Sequence, residues 1–163
     1  MSANQKLNGE VKSFYKNGQL ANIANYKSGL LQGVVKEFYE NGQLECIATY
    51  HNDKQEGETK NFSENGELKG IHTFKNGLLD GEARTFYDNG QLENLATYKN
   101  GLLNGEVKVF SENGELKCTA TYKNGELDGE VKFLSENYEI QSVSKFQDGE
   151  IIDQKPLYET NLM

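Results

Sequence analysis

The chain has 163 residues, a hydrophobic fraction of 36% and a mean hydropathy of -0.75. It is lean in apolar side chains for its length, which predicts a thin fold without a multilayered core. The net charge of -8 argues against nucleic acid as a partner and disfavours a lipid or membrane surface, because recognition of phosphates relies on Lys and Arg. No apolar run approaches the roughly 20 residues that span a bilayer.

A glycine recurs along the chain at a constant 24-residue step, without an insertion. Phenylalanine, leucine, aromatic and Asn-Gly positions follow the same step. Such periodicity is typical of tandem repeat proteins. The sequence therefore predicts one repeat domain over 1–163, made of six hairpin repeats and a C-terminal cap: 9–32, 33–56, 57–80, 81–104, 105–128, 129–152 and 153–163.

The repeat at 81–104 shows the pattern within one unit most clearly. Residues 82–87 and 91–98 are two runs typical of strands, and Asn89-Gly90 between them is a strong hairpin signal, since a tight hairpin turn needs positive φ at its central residues. The link at 99–105 is short, which favours antiparallel neighbours. The pattern predicts an all-β, elongated, single-sheet meander of tandem antiparallel β-hairpin repeats with twelve strands.

The second strand of each repeat has a clear alternation. Asn94, Ala96 and Tyr98 are predicted on one face, with small residues recurring at the first two positions in the other repeats. Close packing over that face is expected. The first strand is less regular: Val11 and Phe14 lie three residues apart, so either they face opposite sides or a bulge brings them together.

The unit Phe-Tyr-Glu-Asn-Gly-Gln-Leu, followed by Ala-x-Tyr and Gly-Leu-Leu-x-Gly, is readable at 38–57 and, with Asp in place of Glu, at 86–105. At 38–57 the last part departs from this unit, since Asp53-Lys54-Gln55 stands where 86–105 has Gly-Leu-Leu. The unit resembles the bacterial variant of the MORN repeat, and the resemblance covers nearly the whole chain. It implies hairpins in twisted sheets used for protein contacts. Similar arrays carry an antitoxin label, which implies a protein partner that the array masks.

No sequence motif indicates catalysis, a cofactor or a metal site. His51 and His72 stand at points where their repeats depart from the pattern. Each is either a packed or solvent-exposed histidine or a functional one. Cys46 and Cys118 lie three repeats apart, too far along a regular sheet for a disulfide. The chain is therefore predicted not to be an enzyme.

The function expected from these features is a non-catalytic protein-interaction or scaffolding array. A glycan or cell-surface binding module is the alternative, and edge-to-edge self-association is a further expectation for an open sheet. The default location is cytoplasmic, with a secreted or surface origin left open. The candidate binding residues are the aromatic column and three polar departures: Tyr26, Tyr50, Phe74, Tyr98, Tyr122, His51, Asp53 and His72.

Two segments depart from the repeat. At 51–56 the usual Lys-Asn-Gly-Leu-Leu-Asp is replaced, which is either drift in a tolerant loop or a polar docking point. Near the C-terminus, Tyr138 replaces the turn glycine and Asp153 stands where the next repeat glycine would fall. A cap from residue 137 onward is predicted, with apolar side chains covering the last edge: Ile151, Ile152, Pro156, Leu157 and Tyr158.

Overall fold

The computed structural model describes residues 6–156, in which fifteen β-strands and no helix occur. Contacts divide the chain into two compact units, Met1–Leu79 and Asp80–Met163. Within each unit the strands pair in chain order, with one short strand of each unit lying off this path, and every pairing is antiparallel. The predicted fold class, an all-β meander of tandem antiparallel hairpins, is confirmed.

The first unit contains three hairpins, β1 with β2, β3 with β4, and β6 with β7. The short strand β5 continues from the turn after β4 and pairs back onto it. The strands of this unit are β1 (Gly9–Phe14), β2 (Leu20–Lys27), β3 (Leu30–Phe38), β4 (Leu44–His51), β5 (Lys54–Gln55), β6 (Gly57–Phe62) and β7 (Leu68–Lys75).

The second unit also contains three hairpins, β8 with β9, β11 with β12, and β13 with β14, followed by one more strand, β15. Strand β8 begins just before the boundary between the units. The short strands β5 and β10 and the terminal β15 account for the difference from the twelve strands expected. The strands are β8 (Leu78–Phe86), β9 (Leu92–Lys99), β10 (Leu102–Leu103), β11 (Gly105–Phe110), β12 (Leu116–Lys123), β13 (Glu126–Leu134), β14 (Ile140–Gln147) and β15 (Glu150–Pro156).

The loop inside each hairpin differs from the turn that the Asn-Gly pair predicted. In the fourth hairpin, the Gly90 amide donates to the Tyr87 carbonyl at 2.9 Å, and the Tyr87 amide donates to the Gln91 carbonyl at 2.9 Å. Gly90 has a φ of 81°, whereas Asn89 is not among the residues with positive φ. This is a three-residue loop, in which a tight turn is followed by one left-handed glycine. The expectation of positive φ at both central residues is wrong here.

The turn with two left-handed residues lies instead in the link between hairpins. Asn100 and Gly101 have φ values of 48° and 85°, and they connect Lys99 directly to its cross-strand partner Leu102. Asn and Gly suit this position because both tolerate the left-handed region. The other links carry the same pair of positive φ angles at residues 28 and 29, 52 and 53, 76 and 77, 124 and 125, and 148 and 149.

A bulge beside each hairpin loop resolves the irregularity of the first strand. Ser13 pairs with Asn22, but Phe14 pairs with Leu20, so Ala21 is the extra residue on the second strand. Because β1 itself stays regular, Val11 and Phe14 lie on opposite faces. The register shift recurs in the other hairpins, between residues 37 and 38, 61 and 62, 85 and 86, 109 and 110, and 133 and 134.

The buried residues are small and lie in a row on one face of each unit. Val35 pairs across strands with Ala48, and Ala83 pairs with Ala96; all four have exposures below 9%. The predicted close packing over the small residues is therefore confirmed. No large side chain is fully buried among the described residues. The apolar contribution to stability is consequently spread over many half-buried side chains.

Side chains of the first, second and fourth hairpin loops bind each of these repeats to the next. The Tyr39 hydroxyl donates to the Phe62 carbonyl at 2.8 Å, and the Asn41 side-chain amide donates to the Glu64 carbonyl at 2.8 Å. The same two bonds recur between the first and second hairpins, and between the fourth and fifth. Each asparagine also accepts the amide hydrogen of the residue two positions on, so it closes its own loop as well.

The C-terminal end differs in part from the predicted cap. Tyr138 adopts a φ of 62°, so the sixth hairpin keeps the loop of the others although the glycine is absent. Strand β15 covers the edge of β14 by backbone pairing. Ile151 and Ile152 are 52% and 61% exposed, so their side chains do not form the predicted apolar cover. Leu157 and Tyr158 lie outside the described residues, and the side chain of Pro156 is not described.

Deleting residues 150–163 should leave the backbone groups of β14 unpaired along its outer edge. Because exposed strand edges pair with other chains, we expect this variant to form oligomers or aggregates. Size-exclusion chromatography with light scattering measures the outcome. Deleting 157–163 alone is the control, since it keeps β15 and should remain dispersed. A dispersed and equally stable 150–163 deletion would show that β15 is not a cap.

Two substitutions at equivalent loop positions should change stability in opposite directions. Gly90→Val places a β-branched residue at a φ of 81°, and a loss of about 1 to 3 kcal/mol in the free energy of unfolding is expected. Tyr138→Gly removes a bulky residue from a φ of 62°, and a gain of about 1 kcal/mol is expected. Urea denaturation tests both. Shifts of the same sign would contradict the shared loop geometry.

Candidate functional site

The predicted aromatic column lies opposite the repeat glycines. In the first unit Tyr26 pairs across strands with Gly9, and Tyr50 pairs with Gly33. A bare glycine backbone gives an aromatic ring a surface to cover, which strengthens a strand position that glycine weakens. The remaining members of the column also lie opposite repeat glycines, and all are half-buried: Phe74 opposite Gly57, Tyr98 opposite Gly81, and Tyr122 opposite Gly105.

These rings are half-buried, so each keeps an accessible part. Burial is the largest cause that raises the pKa of Tyr50, and the carboxylate of Glu37 adds to it. The Tyr50 hydroxyl thus stays protonated and remains able to donate a hydrogen bond. In each unit the column is a row of partly open aromatic surfaces.

His72 lies in β7 at a position of the buried row and is half-buried. It pairs across strands with Thr59, which is 4% exposed, and its Nδ1 is 3.4 Å from the side-chain nitrogen of Asn61. Burial lowers the pKa of His72. The histidine therefore takes the place that alanine holds in most other repeats, and its surroundings favour the neutral ring.

His51 and Asp53 lie in the turn that links the second and third hairpins, and both are exposed. Asn52 and Asp53 have φ values of 50° and 65°, so the turn keeps the geometry of the other links although it has no glycine. The Asp53 carboxylate accepts the Leu31 amide hydrogen at 2.6 Å, and the Asp53 amide donates to the Leu31 carbonyl at 3.1 Å. Asp53 therefore anchors the turn to β3.

An open cleft of about 250 Å³ lies beside this turn. It is lined by His51, Asn52, Lys54, Glu56 and Asn76. The Asn76 amide donates to the Glu56 carboxylate at 2.9 Å, which joins this link to the next one. The cleft gathers side chains of both charges on one exposed surface. The cleft lies where the sequence at 51–56 departs from the repeat and becomes polar.

The predicted residues do not converge on one pocket. In the first unit the structure brings Tyr50, His51 and Asp53 together at one strand end, and it places His72 and Phe74 on β7. Tyr98 and Tyr122 belong to the second unit. Open clefts along the hairpin loops of that unit, of about 370 and 400 Å³, each carry three acidic side chains among other polar and aromatic ones. No group of three metal-binding side chains occurs within residues 6–156.

Both cysteines are free thiols and half-buried. Burial raises the pKa of Cys46, with Glu37 and Glu45 adding to the effect, and burial also raises the pKa of Cys118. A raised pKa lowers the thiolate fraction near neutral pH, and the thiolate is the nucleophilic form. These thiols behave as small packing residues.

Sequence reasoning missed the face opposite the buried row. The first strands of most hairpins carry Glu and Lys or Arg two residues apart, so both side chains are on that face. Lys108 contacts Glu106 at 3.0 Å and Lys132 contacts Glu130 at 2.7 Å. The repeated Glu-x-Lys spacing in the sequence could have indicated this charged face. Within the described part of the chain, no helix is long and apolar enough to cross a membrane.

The pKa of His72 predicts how stability responds to acid. Because burial lowers this pKa, the folded protein holds the His72 proton more weakly than the unfolded chain, whose histidine pKa is about 6.5. The contribution of neutral His72 is fully present above that pH and is lost as the pH falls below it. Between pH 7 and 5, His72→Asn should therefore lose less stability than the unchanged protein.

Urea denaturation at several pH values measures this difference. His51→Asn is the matched control, because it removes the other histidine from an exposed turn. If His72→Asn and the unchanged protein lose equal stability over this pH range, His72 is not the group responsible.

Five segments of the chain match the model of one protein family, described as MORN repeat variant. They follow the 24-residue step of the hairpins: 7–28, 31–52, 55–76, 79–100 and 103–124. No curated protein is significantly similar to the chain. Repeats of this family generally serve binding or scaffolding roles. Because the matched segments cover more than half of the sequence, the chain belongs to the MORN repeat variant family.

Proposed function

We propose that the chain is one repeat domain of six hairpins that acts as a non-catalytic protein-interaction array. One observation carries the proposal: the link at 51–56 departs from the repeat in sequence but not in backbone geometry. Asn52 and Asp53 both hold left-handed conformations that Asn and Gly hold in most links. The exposed side chains of this turn differ from those of its neighbours, which gives a repetitive surface one distinctive place.

The energetics of the link support a role beyond packing. A non-glycine residue in the left-handed region costs roughly 1 to 2 kcal/mol, and the bond from Leu31 to Asp53 returns part of that cost. Of the two leucines that Lys54 and Gln55 replace, only the second is in a half-buried position, because Leu78 and Leu102 are 51% and 50% exposed. The sequence at this turn is therefore not the most stable choice for its geometry.

We propose that the array masks a protein partner, as the antitoxin label of similar arrays implies. Acidic surface charge and an exposed polar turn suit contact with a folded protein. The alternative, a glycan-binding module, would use the aromatic column. Each ring of that column is half-buried, so less of its face is available for stacking on a sugar.

Restoring the common link sequence tests the proposal. The variant carries His51→Lys, Asp53→Gly, Lys54→Leu, Gln55→Leu and Glu56→Asp. It should be at least as stable as the unchanged chain, because a glycine at position 53 would relieve the left-handed strain and a leucine at position 55 would fill a half-buried place. Its affinity for a protein captured by the unchanged chain from source cells should fall at least tenfold, as measured by calorimetry.

A second variant provides the control. Asn124→Gly and Glu126→Leu change an equivalent link in the second unit, and should leave affinity within about twofold. Equal affinity of the restored 51–56 variant and the unchanged chain would contradict docking at this turn.

A further inference from the structure

The face opposite the buried row carries a row of basic and aliphatic residues. In the first unit Lys12 pairs across strands with Ile23, which pairs with Lys36 on its other side. Lys36 then pairs with Ile47, and Ile47 pairs with Lys60. Because cross-strand partners lie on the same face, these side chains form one alternating row.

Most basic residues at this position are neutralised by a glutamate of the same strand. Lys12 contacts Glu10 at 3.0 Å, and Arg84 is paired with Glu82. In the second unit the lysines of β11 and β13 have the same arrangement. Four of the six basic side chains at this position thus belong to a local ion pair, whereas Lys60, although it follows Glu58, makes none among residues 6–156.

Lys36 is different because Val34 occupies the glutamate position of its strand. Val34 is 41% exposed, and Ile23 and Ile47 lie on either side of Lys36. We call Ile23, Val34, Lys36 and Ile47 the Lys36 patch. Lys36 is exposed, and it makes no ion pair among residues 6–156. Its chain neighbour Glu37 belongs to the other face, where it pairs across strands with Cys46.

We infer that the Lys36 patch binds an amphipathic helix of a partner protein, with one carboxylate on Lys36 and an aliphatic side chain on each flanking isoleucine. The inference rests on the proposed function as a protein-interaction array and names the chemistry of the partner. Val34 and the link at 51–56 belong to the same hairpin and its following turn, and Asp53 is bonded to β3 itself. These two departures from the repeat, Val34 and the 51–56 link, therefore lie on one structural element.

The spacing of the patch favours a helix over an extended segment. Neighbouring strands are about 4.8 Å apart, so Ile23 and Ile47 are separated by about 9.6 Å with Lys36 midway. A helix rises about 1.5 Å per residue, so positions i and i+7 are about 10.5 Å apart on one face, with i+3 between them. On one face of an extended strand, side chains are instead about 6.7 Å or 13 Å apart. A helix therefore matches the three side chains.

The electrostatics favour selectivity. An ammonium group among aliphatic side chains loses water when a partner covers it, and a carboxylate is the group that restores its hydrogen bonds. The net charge of -8 repels acidic molecules in general. A partner must therefore place its carboxylate on Lys36 within an apolar contact, which an anionic polymer or a dilute anionic surface does not do.

A designed peptide tests this inference on the full chain. The probe is an 18-residue helix with Leu at positions i and i+7 and a single Glu at i+3. We expect saturable binding by fluorescence anisotropy, and Lys36→Glu should weaken it at least tenfold. The same peptide with Lys at i+3 should bind poorly to the unchanged chain and regain affinity for the Lys36→Glu chain.

The controls separate binding at this patch from binding elsewhere on the sheet. Lys108→Glu changes the equivalent lysine of the second unit, which is paired with Glu106, and should alter affinity by less than about twofold. A peptide with Glu moved to i+5 should bind weakly. Lack of peptide binding, or equal effects of Lys36→Glu and Lys108→Glu, would overturn the inference. So would Lys36-dependent sedimentation with vesicles of phosphatidylcholine and phosphatidylserine, since that result would assign the patch to a membrane.

Failure here is distinguishable from failure of the proposed function. If the captured protein loses affinity for the restored 51–56 variant while the peptide does not bind, the array function stands and the helix inference falls. If the peptide binds through Lys36 but the 51–56 variant keeps its full affinity for the captured protein, docking at the turn falls instead.

Discussion

Each hairpin depends on its neighbours, because a single layer of strands has no interior in which to bury large side chains. The buried row consists of residues no larger than valine, such as Val35 and Ala48. Cohesion must therefore come from contacts between successive hairpins, as in other linear repeat arrays. The hairpin loops supply such contacts through Tyr39 and Asn41, whose donors are satisfied by carbonyl groups of the next repeat.

This dependence explains which parts of the fold could be predicted from sequence. The period, the hairpins and the small-residue face follow from residues that recur at the 24-residue step. The turn types could not be predicted, because Asn-Gly serves two purposes. Asn100 adopts a left-handed φ. The side chain of Asn89 instead accepts the Gln91 amide hydrogen and donates to the Glu112 carbonyl. Sequence alone does not distinguish these uses.

The candidate site was likewise predictable only in part. The aromatic column was predictable from its spacing, but its pairing with the glycines depends on a register that the bulges shift. Lys36 was not singled out, since a lysine in a charged strand is ordinary; only the cross-strand neighbours Ile23 and Ile47 make its position unusual. A strict repeat fixes the backbone, so specificity is confined to exposed positions such as Val34 and Asp53, where a substitution leaves the geometry intact.

The coupling between repeats can be measured directly at Asn41. Asn41→Asp keeps the oxygen that accepts the Gln43 amide hydrogen but removes the amide that donates to Glu64. Asn113→Asp, whose oxygen also closes its own loop, controls for the added charge. If loop contacts hold the hairpins together, Asn41→Asp should cost about 1 kcal/mol more than Asn113→Asp in urea denaturation, and hydrogen exchange should quicken in both the second and third hairpins. Equal costs, with faster exchange confined to the second hairpin, would contradict this account.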